Sequence, residues 1–188
     1  MRLAEEFFAQ HGAKKRYAFY HAFGMTCNAG HKKLFCGLPH IEQVLLDNGY
    51  IKEHENVYYS RRLTELDIQQ PGEISVVYGE KNPQGRQEFS IHCCGEYVGA
   101  GELAYLPLGE MCYLRWIYTE EKLQGKGCAS AALNRIFSDL YSAGIHRIDT
   151  DTADGNPIAQ RLYTKTGFAD MGRTRSYLHS DNMKMGEA

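Results

Sequence analysis

Leu123-Gln124-Gly125-Lys126-Gly127-Cys128-Ala129 is the stretch that decides the fold of this chain. It follows a strand-like run, residues 111–119, and leads into a helix-like run, residues 129–142. A glycine-rich turn between strand and helix leaves N–H groups unpaired at the positive end of the helix dipole, which suits a phosphate. The turn lacks the Gly-Lys-Ser/Thr ending and the third glycine of the common nucleotide motifs. Alone, it fits either an anion site or a plain connection.

A second motif follows in a fixed order. Residues 156–163, Asn-Pro-Ile-Ala-Gln-Arg-Leu-Tyr, predict a helix that runs into Lys165-Thr166-Gly167-Phe168 and a final strand pair. Together with the Gln-x-x-Gly-x-Ala spacing of the glycine-rich turn, this order resembles the GNAT superfamily of acyl-CoA N-acyltransferases. The resemblance covers about residues 88 to 180. It implies an α/β fold in which a mixed sheet is flanked by helices.

The strands before the turn predict an antiparallel meander. Residues 88–94 and 97–106 are strand-like, and the Gly95-Glu96 step between them is typical of a hairpin. A third strand, 111–119, delivers the chain to the glycine-rich turn, and Arg147 to Thr150 form the strand after the helix.

The first third of the chain repeats the order of the last third. An amphipathic helix at residues 3–12, an aromatic strand at 17–23, a helical face at 41–46 and a strand at 56–59 follow one another. We therefore expect residues 1–65 to be a partial GNAT-like half-unit without its glycine-rich turn, and residues 66–188 to be the N-acetyltransferase domain. An unrelated helix-strand-helix-strand segment is the alternative. Residues 67–87, with one edge strand at 74–78, form the boundary.

The resemblance implies where acetyl-CoA binds. The pyrophosphate belongs at the glycine-rich turn, the pantetheine arm pairs with the backbone just before it, and an N–H there polarises the thioester carbonyl. An asparagine at the start of the second helix also contacts CoA in this family. The cosubstrate-binding residues so implied are Ile117, Thr119, Gln124, Gly125, Lys126, Gly127, Cys128, Ala129, Ser130 and Asn156.

The same resemblance implies a general acid. Tyr163 occupies the position of the family's usual tyrosine, which protonates the leaving thiolate; the alternative is a core or interface tyrosine. For deprotonation of the amine, Glu102 and Glu120 are the candidates, directly or through water. Both also fit solvated surface acids, and the family often uses water alone. Cys128 fits a small buried helix residue rather than a reactive thiol.

The composition and charge of the sequence argue against several functional classes. A net charge of −2 gives no electrostatic reason for nucleic-acid binding, and no apolar run is long enough for a membrane span. The N-terminus is acidic where a signal peptide would be apolar. Six cysteines, scattered singly or adjacent, are unlike a secreted disulfide framework. We therefore expect a reducing cytoplasm.

Four zinc-type ligands lie in the loop of the first third: Cys27, His31, Cys36 and His40. Their types alternate, whereas a zinc signature pairs cysteine with cysteine and histidine with histidine. We predict no metal and expect the loop to pack on the second unit instead.

The function expected is transfer of an acetyl group from acetyl-CoA directly to a primary amine of a small molecule or peptide. The alternatives are a non-catalytic acyl-CoA sensor and, third, a metal-binding interaction module. Residues 63–88 are too few and too rich in Pro and Gly for the two helices that usually cover the acceptor. Residues 1–65 are therefore expected to supply that cover, in the same chain or in a homodimer.

Overall fold

The computed structural model describes residues 2–13, 15–19, 25–26, 30–31, 33–69, 72–106 and 110–180. None of the helices in these ranges has the length and apolar character needed to cross a membrane. The helices are α1 (Arg2–Gln10), α2 (Pro39–Asp47), α3 (Cys128–Ser142) and α4 (Pro157–Lys165). The strands are β1 (Tyr17–Ala18), β2 (Met25–Thr26), β3 (Gly30–His31), β4 (Leu34–Phe35), β5 (Tyr50–Arg62), β6 (Ile74–Tyr78), β7 (Arg86–Cys93), β8 (Glu96–Tyr105), β9 (Met111–Thr119), β10 (Arg147–Ala153) and β11 (Ala169–His179).

The strands hydrogen bond in the order β1-β11-β5-β10-β9-β8-β7-β6, with β4 also on β11, while β2 and β3 pair with each other. The β9–β10 pair is parallel, and the β6–β7, β7–β8, β8–β9, β1–β11 and β4–β11 pairs are antiparallel. A mixed sheet with flanking helices is therefore present, and the predicted fold class is confirmed. The predicted edge strand at 74–78 is β6, at one end of the order.

The chain divides into two compact units. The first comprises Met1–Thr26, His31–Asn56 and Gly172–Ala188, and the second Cys27–Gly30 and Val57–Met171. Leu63 is buried in the core of the second unit, together with residues of β7, β8 and α3. The units thus divide the chain elsewhere than at residue 65, where the predicted domain boundary stays a prediction.

The first unit has a small core with a polar network beside it. Leu34, Leu45, Tyr50 and Tyr177 form the core. Beside it, the Arg175 guanidinium donates to the carboxylates of Glu42, at 2.7 Å, and Glu55, and the Tyr177 phenol donates to Glu42 at 2.7 Å. The hydrogen bond from Arg175 is the main reason that the pKa of Glu55 is lowered. These charge-assisted hydrogen bonds therefore add stability to a unit whose apolar core is small.

The second unit is built on α3. Its inward side chains recur at helical spacing, and Leu133, Ile136, Phe137 and Leu140 are all buried. They pack in the main core with strand residues such as Ile91, Leu103 and Leu114. This packing fixes the start of α3 against β9, which is where the glycine-rich turn lies.

The meander β7-β8-β9 is present as predicted. Its first turn lies one residue earlier than predicted, at Cys94-Gly95, where φ is 49° and 86°. Two central residues with positive φ are characteristic of a type I′ hairpin turn. Cys94 adopts this conformation although it is not glycine, so the turn is imposed by strand pairing on both sides.

The first third departs from its predicted elements. In place of a strand over 17–23, β1 covers Tyr17–Ala18, and residues 20–24 lie outside the described ranges. The predicted helical face at 41–46 is wrong in part, because Val44 and Leu46 are exposed while Leu45 is buried. The strand predicted at 56–59 is longer and runs from Tyr50 to Arg62. Pairing on β5 extends that strand beyond its own apolar pattern.

Candidate functional site: a split between two parallel strands

The site begins where β9 and β10 part. Their parallel register runs from Met111 and Arg147 to Leu114 and Thr150, and it ends there although β9 continues to Thr119. At that last pair the Thr150 hydroxyl donates to the Leu114 carbonyl at 2.9 Å. Among the described residues, the rest of β9 therefore has no strand partner on the β10 side, which leaves an open edge.

One backbone hydrogen bond between the end of β9 and β8 fixes the direction of the main-chain groups along this edge. The N–H of Glu120 donates to the Val98 carbonyl at 3.0 Å and so points toward β8. Because backbone groups alternate along a strand, Trp116 and Tyr118 also point toward β8. Ile117 and Thr119 consequently present their N–H and C=O groups to the open edge, as the Gln124 amide confirms by donating to the Thr119 carbonyl at 3.4 Å.

The glycine-rich turn supplies a second set of free donors. Gly127 is the N-cap of α3, with φ 87°, and no side chain caps the helix. The N–H of Ala131 bonds to the Gly127 carbonyl at 3.0 Å. In the part of the chain that the structure describes, the N–H groups of Cys128, Ala129 and Ser130 have no partner, as expected for the first turn of a helix. A phosphate suits these donors and the helix dipole.

Gly125 and Gly127 face open space. Their φ angles are 76° and 87°, and a Cβ built on either would meet no atom within 4 Å. Packing therefore does not require these glycines. Backbone conformation does, since φ is positive at both, and the open space leaves room for a ligand close to the main chain.

The split and the turn border one cavity of about 390 Å³. Every predicted cosubstrate-binding residue except Lys126 lines it, and so does Tyr163. The other lining residues are Tyr118, Leu123, Ile158, Ala159, Arg161, Leu162 and Lys165. Residues scattered over 49 positions of sequence, from Ile117 to Lys165, thus meet at one concave surface.

Tyr163 lies in the wall of this cavity and in the core at once. Its side chain is 4 % exposed, with ring centroids 5.4 Å from Tyr59 and 5.5 Å from Phe168. Burial raises the pKa of Tyr163, a hydrogen bond with Thr150 opposes that rise, and the negative charge of Asp151 adds to it. The phenol is therefore protonated at neutral pH, as a general acid must be.

Asn156 is the N-cap of α4. Its side-chain oxygen accepts from the Ala159 N–H at 3.1 Å, so the amide NH₂ is the group left for a ligand. The cap also sets the start of the helix that carries Tyr163, seven residues on. Asn156 therefore has a structural role in addition to the contact that the resemblance implies.

A known family matches the part of the chain that contains this cavity. The profile of the Acetyltransferase (GNAT) family matches residues 46–168, more than half of the sequence. The chain belongs to the GNAT acetyltransferase family. No curated protein matches the sequence significantly.

Solved structures agree on the fold. A GCN5-related N-acetyltransferase from Kribbella flavida is 12% identical with a TM-score of 0.59, over 76% of this chain and 64% of that protein. A GCN5-related N-acetyltransferase from Sphaerobacter thermophilus is 13% identical with a TM-score of 0.58, over 78% and 57%. At such identities the likeness concerns the fold alone. This GNAT chain spans about three-fifths of the length of these proteins.

Glu102 of this GNAT chain is held by its neighbours and does not line the cavity. It is 8 % exposed, and it accepts from Arg115 at 2.7 Å and from the Trp116 indole at 3.1 Å. Arg86 lies 3.8 Å from the same carboxylate. The alternative of a solvated surface acid is therefore wrong for Glu102, because cross-strand cations bury it. Its role as base stays a prediction.

Glu120 is also outside the lining. Its carboxylate pairs with Lys122 at 2.8 Å, and its side chain is 34% exposed. This environment fits the surface-acid alternative. As with Glu102, the catalytic role stays a prediction.

Sequence reasoning missed two charged residues that line the cavity and one acid at the end of the β9–β10 ladder. Arg161 and Lys165 line the cavity from α4. Their i,i+4 spacing, on the helix that begins at Asn156, could have indicated that both lie on one face of that helix. Asp151 follows the last paired residue of β10, and the Tyr113 phenol donates to its carboxylate at 2.7 Å. Only the folded register reveals that the charge of Asp151 acts on Tyr163.

The predicted absence of a metal at Cys27, His31, Cys36 and His40 is not tested. Cys27 and the side chain of His31 lie outside the described residues. Cys36 is described, and it is a free thiol.

Proposed function

We propose that this chain is an acyltransferase that carries an acetyl group from acetyl-CoA directly to a primary amine of a small molecule or peptide. The carrying observation is that the free edge of β9 and the uncapped start of α3 border the same cavity. An extended thioester arm ending in a pyrophosphate matches an open strand edge next to an anion-binding helix start.

The pyrophosphate would bind at the N–H groups of Cys128, Ala129 and Ser130. Arg161 and Lys165, in the opposite wall, would attract the remaining phosphate charge. The pantetheine arm would pair with Ile117 and Thr119 as an added strand, and an N–H of that edge would polarise the thioester carbonyl.

In the reaction, the amine nitrogen attacks the thioester carbonyl carbon. A C–N bond forms, the C–S bond breaks, and the CoA thiolate leaves. Tyr163 is proposed to protonate that thiolate, since its phenol is neutral and lies in the cavity wall. General acid assistance of this kind is typically worth ~10²–10⁴-fold in rate.

The amine must lose a proton before or during attack. Glu102 and Glu120 were predicted for this role, but arginines and a tryptophan engage the first, and a lysine engages the second. Asp151 is a third candidate. Like the two glutamates it is not a lining residue of the cavity, but it directly follows the last paired residue of β10, and its charge acts on Tyr163.

Binding of CoA is tested at Gly127. Gly127→Asp would place a carboxylate where the pyrophosphate binds, so CoA affinity measured by calorimetry should be abolished. Gly144→Asp is the matched control: its φ is 82°, it lies at the other end of α3, and a Cβ there also meets no atom within 4 Å. Equal CoA affinity in both folded variants would overturn the proposal.

Catalysis is tested separately by acetyl-CoA-dependent thiol release with a panel of amines. Binding of CoA without release for any amine would support the sensor alternative. The described cysteines Cys36, Cys93, Cys94, Cys112 and Cys128 are free thiols, which supports the proposal of a reducing cytoplasm. The proposed homodimer is tested by light scattering.

A further inference from the structure

Three potential metal ligands converge outside the acetyl-CoA cavity. The Sγ atoms of Cys93 and Cys94 and a carboxylate oxygen of Glu73 all lie within 4.8 Å of one another. They occupy the end of the sheet where β6 begins and β7 turns into β8. Neither the catalytic proposal nor the sequence motifs use them.

Strand register brings Glu73 to the thiols. Ile74 pairs with Cys93 across the antiparallel β6–β7 ladder, and the Cys94 N–H donates to the Glu73 carbonyl at 2.9 Å. Glu73 is therefore held opposite Cys94 by its backbone, whatever its side chain does. The carboxylate needs only side-chain rotation to reach either sulfur.

Adjacent cysteines in a regular strand would point to opposite faces. Cys94 escapes this rule because its φ is 49°, in the left-handed region, at the first central position of the hairpin turn. The turn ends the alternation and brings both thiols to one side. A non-glycine residue in this conformation costs free energy, and such conformations concentrate at functional sites.

We propose that Glu73, Cys93 and Cys94 bind one Zn²⁺ ion, with water as the fourth ligand. Two thiolates and a carboxylate are ligands that zinc accepts in tetrahedral geometry, with Zn–S bonds of about 2.3 Å. Such bonds place two sulfurs roughly 3.8 Å apart at the tetrahedral angle, so a small rotation closes the observed spacing. Soft thiolates favour zinc over magnesium or calcium.

The charge balance at the cluster also suits a divalent cation, because the Glu73 carboxylate and two thiolates would share it. Thiols must lose their protons to bind zinc, so binding releases protons and tightens as pH rises. The ion would also join the start of β6, an end strand of the sheet, to the β7–β8 turn.

The test uses the full chain, reduced and stripped of metal with a chelator. Titration with Zn²⁺ alone should give one ion per chain by calorimetry. Titration with Co²⁺ should give the visible absorption of a tetrahedral site together with thiolate-to-cobalt charge transfer. Cys93→Ser and Cys94→Ser should each weaken Zn²⁺ binding at least tenfold and remove the charge-transfer contribution of one sulfur, about half of the band. Glu73→Gln should weaken binding while keeping the charge transfer.

Cys36→Ser is the control, because Cys36 belongs to the other cysteine and histidine set of the chain. Zn²⁺ affinity should be unchanged in this variant. Loss of binding in Cys36→Ser with retention in Cys94→Ser would place the metal in the first third and overturn the proposal. So would wild-type affinity in a Cys93→Ser/Cys94→Ser double variant with unchanged circular dichroism.

Discussion

The Thr150 hydroxyl donates to the Leu114 carbonyl across 2.9 Å, at the last residue pair before β9 and β10 separate. Thr150 is fully buried, and its side chain also hydrogen bonds with Tyr163. The residue that ends the parallel ladder is thus the residue that contacts the proposed acid. One side chain thus lies at the end of the ladder and also lowers the pKa of Tyr163, which burial raises.

Replacing Thr150 by valine keeps the shape and removes both bonds. We expect unfolding free energy to fall by about 1–3 kcal/mol, because the Leu114 carbonyl loses a buried partner. The pKa of Tyr163 should rise further, so the alkaline limb of the pH–rate profile should move to higher pH. Thr166→Val is the control, since it removes a hydroxyl that donates to the Leu162 carbonyl at 2.8 Å. A similar loss of stability in both, with identical pH profiles, would contradict the role of Thr150.

Removing the Tyr163 hydroxyl tests the acid itself. Tyr163→Phe should lower turnover by ~10²–10⁴-fold and leave the acetyl-CoA dissociation constant nearly unchanged. Tyr78→Phe is the matched control. That phenol is also partly buried and donates a hydrogen bond to Asp139 of α3 at 3.0 Å, but neither residue lines the cavity. A loss of less than about threefold for Tyr163→Phe would mean that water or another residue protonates the thiolate.

The base is identified by comparing three carboxylates. Asp151→Asn should lower kcat/KM by roughly 10²-fold and flatten its acidic limb, with CoA affinity retained. Glu102→Gln should mainly reduce stability, because it weakens the bonds with Arg115 and Trp116. Glu120→Gln should change little. If the acidic limb disappears in the Glu102 or Glu120 variant instead, the assignment made from sequence is right and Asp151 is not the base.

Substituting two glycines that share the same φ separates the free-energy cost of backbone strain from that of a steric clash. Gly144 and Gly167 both have φ 82°, but a Cβ at Gly144 meets nothing, whereas at Gly167 it meets the Arg61 guanidinium. That guanidinium donates to the Thr166 carbonyl and to Asp67, and it lies 4.4 Å from the centre of the Phe137 ring. Gly144→Ala should cost about 1–2 kcal/mol in urea unfolding, and Gly167→Ala roughly 1.5–3 kcal/mol more. Equal losses would show that Arg61 moves aside freely.

Alkaline stability should depend on Cys112. Burial raises the pKa of this core thiol from 9.0 to about 12. A folded-state pKa above the unfolded value stabilises the protein fully below pH 9, and the contribution is lost as pH rises toward 12. Between those limits, unfolding free energy should fall by about 1.4 kcal/mol per pH unit from this group. Cys112→Ala should be less stable at neutral pH and show a shallower alkaline decline; an unchanged slope would contradict this.

The residues that line the cavity could be predicted because local sequence pattern determines their positions. The glycines at 125 and 127 set the turn, the apolar spacing of α3 sets the helix face, and the Asn156 cap sets the position of Tyr163. Each of these depends on neighbours in sequence. The predicted residues therefore meet at one cavity with the single exception of Lys126.

The surroundings of Glu102 and Asp151 could not be predicted because they depend on strand register. A bulge between Glu102 and Leu103 leaves Arg115 as the extra residue of β9, and this places Trp116 opposite Glu102. The burial of Glu102 follows from that bulge, as does the position of Arg115 beside it. The proximity of Asp151 to Tyr163 likewise follows from where the β9–β10 ladder ends. Neither bulge nor ladder end has a reliable sequence signal.

The hydrogen-bonding position of β5 has a consequence during synthesis. The Tyr58 phenol donates to the fully buried Asp149, which lies 91 residues later in the chain. At about 5–20 residues per second, a ribosome takes roughly 5–18 s to make that interval. Three core residues of β5 and its end keep their apolar surface exposed until β10 is made: Val57, Tyr59 and Leu63. A nascent chain stalled before residue 147 would therefore expose these residues and be prone to aggregation.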